Sequence, residues 1–227
     1  MRIAARLGRK HPEAALPGRA VVGAAGLRSM RRITREEITA QFCAELEAQG
    51  GVSIRCASTG ILQDELSHIV LSLSPQRVAW WEDGLAESLQ LDRRMYDHLY
   101  DHPQEREAVS DTAREDWLER TARADIGITG CDYAIAETGT VVLLAGRNRG
   151  RSVSLLPGAH IVLVRGSCIR MHMGDVLHEL SLLPDRTGTS LPAVNFISGP
   201  SRSSDIENDL SIGVHGPAAL FALILED

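Results

Sequence analysis

The sequence predicts an α/β fold with a mostly parallel sheet flanked by helices. Short β-branched runs crowd the second half, at residues 126–129, 140–144, 160–164, 194–198, 210–214 and 221–225. Between them lie glycine-rich turns and one helical stretch, 173–183. Continuous apolar runs of this length read as strands buried on both faces, as parallel sheets require.

The elements follow in order. Residues 8–30 are rich in Gly, Ala and Pro with little periodicity and read as a loose arm, with a short helix expected at 2–7. Thr34 and Glu37 have capping-box spacing, in which each residue satisfies a backbone N–H of the other. Ile38, Phe42 and Leu46 then form one apolar stripe, and Gly50–Gly51 ends that helix. Residues 52–57 read as a strand, 61–73 as a helix closed by Pro75, and 77–81 as a second strand. The polar stretch 82–116 has no readable period, while 111–123 is a plausible helix carrying Trp117. Residues 1–33 are thus expected to be a basic, partly flexible arm, and 34–227 a single α/β domain.

Charge divides the chain at the same place. Residues 1–35 carry nine basic side chains and one acidic one, net +8, whereas the remainder is −14 within a total of −6. Hydrophobic residues at 44% and charged residues at 24% suit a globular domain. No run approaches the roughly 18 apolar residues of a membrane span, and the first 30 residues have no apolar signal core. A cytoplasmic location is therefore expected. Cys43, Cys56, Cys131 and Cys168 are too scattered for an iron–sulfur or zinc motif, so reduced, mostly buried thiols are expected and no metal. An acidic body without interleaved aromatics argues against nucleic acid.

Four segments could carry chemistry. Residues 129–140 place Glu137 among small residues between two strands, beside Thr129, Gly130, Thr138 and Gly139. A carboxylate at the carboxyl edge of a sheet can act as nucleophile or general base; it can equally cap a turn or pair with an arginine. Residues 195–207 run from a strand into a Gly/Ser loop with Ser198, Gly199, Ser201 and Arg202. Ser204 and Glu207 then have the spacing of a helix start, so this loop is either an anion site at a helix N-terminus or a well-capped turn. In residues 213–217, His215 and Gly216 suit either a ligand contact or a structural hydrogen bond. Arg147, Arg149 and Arg151 mark an anion loop or a solvated turn. The ligand-like Arg170, His172 and His178 lack a convergent partner set and read as helix-start and helix-face residues.

Taken in order, these segments resemble the lactate-utilization protein C family of LUD-domain proteins. The resemblance lies in residues 127–130 (GITG), 136–140 (AETGT), 150–157 (GRSVSLLP) with His160, 197–207 (ISGPSRSSDIE) and 213–217 (GVHGP). It is strong over 124–227 and weak before that, although 5–9 (ARLGR) looks like the family's opening. It implies a sugar-phosphate isomerase or CoA-transferase type of scaffold. It also implies a non-redox role in oxidising L-lactate to pyruvate, with iron–sulfur clusters on partner proteins rather than on this chain, and a small anionic ligand. The scaffold suggests Glu137 as a catalytic residue, by analogy with an acyl-accepting glutamate in CoA transferases. The alternatives are an autonomous transferase, isomerase or cyclo-ligase using Glu137, and a small-molecule sensor. Self-association is left open.

Overall fold

The computed structural model describes residues 33–81, 85, 99–100, 111–146, 149–183, 193–204 and 210–227. Residues 34–227 form one compact unit. The arm, most of 82–110, Arg147 and the side chain of Trp117 lie outside the described residues.

Helix α1 spans Arg35–Ala48, with both bonds of the Thr34–Glu37 capping box formed. Strand β1 is Val52–Cys56. Helix α2, Thr59–Leu73, begins two residues earlier than its apolar pattern suggested, because the Ser58 hydroxyl caps the N–H of Ile61. It stops where Ser74 turns left-handed at φ 46°, immediately before Pro75. Strands β2 (Val78–Trp80) and β3 (Leu99–Tyr100) and helix α3 (Asp111–Ala122) follow.

The second half is richer in strands than its sequence pattern suggested. It holds β4 (Ile126–Thr129), β5 (Tyr133–Ile135), a 3-10 turn at Ala136–Thr138 and β6 (Thr140–Leu144). The short helix α4 (Ser152–Leu155) leads into β7 (Ala159–Arg165), then β8 (Ile169–Arg170) and helix α5 (Met173–Ser181). Strands β9 (Val194–Ile197), β10 (Arg202–Ser204), β11 (Leu210–Ile212) and β12 (Ala219–Leu225) complete the chain.

Six strands form a wholly parallel sheet in the order β1-β12-β7-β4-β2-β3. Period-two alternation sends Ile161 and Leu163 of β7 to one face, where Leu62, Leu66, Ile69 and Val70 of α2 cover them. Val162 and Val164 face the other way, toward Phe42 and Leu46 of α1 and Val153 of α4. Burying each such side chain stabilises the fold by about 1.5–3 kcal/mol. Beyond α1 lies a four-stranded sheet, β8-β5-β6-β9, whose β5–β6 and β6–β9 pairs are antiparallel. Its outer face packs on Val176 and Leu180 of α5. The sequence pattern did not separate this second sheet, because strands of three to five residues look alike in either sheet.

Candidate functional site

The 129–140 segment changes sheets. Strand β4 ends in the parallel sheet at Thr129, and the chain reverses through β5 and β6 in the four-stranded one. Glu137 therefore sits on the second sheet, not at a strand end of the parallel sheet as its context suggested. Its carboxylate is partly exposed and doubly engaged. Oε1 accepts the backbone N–H of Met173 at 2.6 Å, and Oε2 accepts the Nδ1–H of His172 at 2.8 Å. Glu137 thus caps the N-terminus of α5, and the hydrogen bond from His172 holds its carboxyl below the usual range. Sequence reading had singled out His172 but could not pair it with a residue 35 positions away.

The neighbouring hydroxyls do converge. Thr138 Oγ1 lies 2.7 Å from Thr140 Oγ1, which lies 2.6 Å from Ser198 Oγ. This chain ties the β5–β6 turn to the end of β9. Gly139, at φ 59°, packs so closely on α1 that a Cβ would fall 2.2 Å from the Leu46 backbone nitrogen. Gly199 meets the Gln49 carbonyl in the same way, at 2.7 Å.

Arg202 completes the contact by donating to the Gln49 carbonyl at the C-terminal end of α1. A guanidinium there satisfies an orphan carbonyl and complements the negative end of the helix dipole. The helix start expected after Ser204 falls on residues 205–209, outside the described residues. Arg202–Ser204 is a strand, paired antiparallel with Leu210–Ile212. Ser201 is locked to the 213–217 loop, its N–H donating to the Pro217 carbonyl and its own carbonyl accepting from Gly213. Gly216 lies against Ser201, where a Cβ would stand 3.4 Å from the hydroxyl oxygen, and His215 is exposed.

Beneath α4 lies a third grouping. Thr129 Oγ1 and His160 Nε2 are 2.8 Å apart, both residues fully buried. Gly127 lets α4 pack closely on β4, since a Cβ there would collide with the Val153 carbonyl at 1.8 Å. His160 Nδ1 and Ser152 Oγ are buried without a hydrogen-bond partner among the described residues. Burial pushes the His160 pKa down to about 3. Beside it Arg149 is no solvated turn residue. It makes a bidentate pair with Asp132 at 2.8 Å and stacks over the buried Trp81, whose indole N–H donates to the Gly150 carbonyl. No local signal connected Trp81, Asp132 and Arg149. Of the four cysteines, all unpaired, only Cys56 is fully buried.

Comparison with known proteins gives these loops a context. The LUD domain family matches residues 27–225. A lactate utilization protein C of Halalkalibacterium halodurans is 40% identical over 173 residues, 73% of this chain and 70% of that protein. One from Macrococcus caseolyticus is 31% identical over 171 residues, covering 75% and 70%. A shorter match, to the protein C of an Exiguobacterium species, reaches 46% over 110 residues, 48% of this chain and 47% of that one. A crystal structure of a DUF162 family protein from Deinococcus radiodurans shares the fold, with a TM-score of 0.61 over 86% of this chain and 99% of that one at 24% identity. The chain belongs to the lactate utilization protein C family of LUD-domain proteins.

Proposed function

We propose that this chain is a component of an L-lactate utilization system. In this reading it is a non-redox subunit that works beside iron–sulfur partner proteins, binds a small anionic ligand and acts in the cytoplasm. The basic residues 1–33 form an arm in front of one α/β domain. The observation that supports the role most directly is the match to proteins named lactate utilization protein C along most of the α/β domain. Among the described residues no helix is long and apolar enough to cross a membrane.

The geometry favours this over an autonomous enzyme using Glu137. Both oxygens of that carboxylate are engaged at the end of α5. Among the described residues no hydrogen bond or ion pair joins it to Arg202 or His215. Deleting the gene from a bacterium that grows on L-lactate should abolish that growth, and the intact chain should restore it. A tagged chain should co-purify proteins with iron–sulfur absorption. Unimpaired growth of the deletion strain would refute the role. Glu137→Gln should still restore growth; a folded Glu137→Gln protein that fails to do so would revive the enzyme reading.

A further inference from the structure

The carboxyl edge of the parallel sheet carries a cleft that none of the motif loops lines. It measures about 320 Å³ and opens at the ends of β1, β7 and β12, beside the first turns of α1. Open parallel sheets bind their ligands at this edge, and the volume suits a small molecule.

Its floor is Thr39 and Gly166. Thr39 is only 4% exposed and lines the cleft, yet its hydroxyl makes no hydrogen bond among the described residues. Gly166 keeps the floor open, since a Cβ there would come within 3.3 Å of Asp227 Oδ1 and the Leu225 carbonyl.

The charged walls fall into two sets. Arg55 is paired on all three nitrogens, with Glu36 on both terminal nitrogens at 2.7 and 2.6 Å and Glu226 on Nε at 2.5 Å. Asp227 accepts the N–H and hydroxyl of Ser167 at 2.7 and 2.9 Å. Arg35 differs from both. Its Nη1 donates to the carbonyls of Ile169 at 2.9 Å and Gly166 at 3.5 Å, and among the described residues it has no carboxylate partner. The cleft therefore offers a cation and a hydroxyl from α1 together with carboxylate oxygens of Glu226 and Asp227 that have lone pairs to spare. A ligand with an acceptor alone would use only the donors.

We propose that this cleft binds a short hydroxycarboxylate. The ligand's carboxylate accepts from Arg35 and Thr39, and its hydroxyl donates to Glu226 or Asp227. The cleft chemistry supplies the donor-plus-acceptor requirement, and the choice of a hydroxy acid rests on the lactate utilization reading above. Titration calorimetry on the full chain with L-lactate, glycolate, propionate and pyruvate tests it. L-Lactate and glycolate should bind. Propionate, which lacks the hydroxyl, and pyruvate, which cannot donate, should bind roughly tenfold more weakly or worse.

Arg35→Ala should weaken L-lactate binding by at least about tenfold and Thr39→Val by about threefold to tenfold, with melting curves confirming that both variants fold. Equal affinity for all four acids, binding unchanged in folded Arg35→Ala, or no binding of any probe overturns the cleft assignment. Growth separates the two proposals. A chain that restores growth on lactate but binds none of the acids sinks the cleft alone. Binding without any growth defect on deletion sinks the proposed role alone.

Discussion

The two ends of α1 sit at opposite edges of the parallel sheet and use their polar residues in opposite ways. At its C-terminal end the motif loops close on the helix. Arg202 donates to the Gln49 carbonyl, Gly199 packs on the same carbonyl, and Gly139 packs on Leu46. At its N-terminal end Arg35 and Thr39 border an open cleft, and neither has a charged or hydroxyl partner among the described residues. Residues that mark the family in sequence are thus largely spent on holding the fold. Donors available to a ligand sit where the sequence carries no motif. Glycines and serines serve close packing and ligand cradling equally well, so a glycine-rich loop does not announce which of the two it does.

The strongest way to break the comparison is to add one methyl group at the locked end. Gly139→Ala places a Cβ against the α1 backbone at a left-handed φ, and backbone cannot yield as a flexible side chain would. A loss of about 3 kcal/mol or more, or failure to fold, is expected in urea denaturation. Wild-type stability would show that the turn is not locked to the helix.

The buried His160 gives a smaller, pH-dependent effect. Its folded pKa of about 3 lies below the ordinary value of 6.5. Between those two values the unfolded chain binds a proton that the folded chain does not. Stability should therefore fall as pH drops through 6.5 toward 3, by up to about 1.4 kcal/mol per pH unit. His160→Gln keeps a polar group near Thr129 and removes the titration, so its stability should vary less with pH over that window. Equal slopes for both proteins in acid denaturation would place the sensitivity elsewhere.

The mildest change is Arg202→Ala. It removes one exposed hydrogen bond from a helix end and should cost about 0.5–1 kcal/mol in thermal unfolding. A much larger loss would mean that Arg202 does more than cap α1.

Legibility followed the range of the interaction. The Thr34–Glu37 box, the apolar stripe of α1 and most strand runs of the parallel sheet were readable, because each is written within a few residues. The Glu137–His172 pair, the Arg149–Asp132–Trp81 group and the Arg35 cleft join residues 17 to 134 positions apart, and no local pattern encodes such distances.

The sequence by itself determined the α/β class, the order of most elements and the family, since periodicity, capping and ordered motifs are properties of the linear chain. Only the tertiary structure decided that the strands divide among three sheets, that Glu137 and Arg202 cap helices, and that the cleft lies at the opposite end of α1 from the Arg202 loop. Those outcomes depend on which backbone segments approach one another, and a glycine, a serine or an arginine takes its role from whichever partner the fold brings within hydrogen-bond reach.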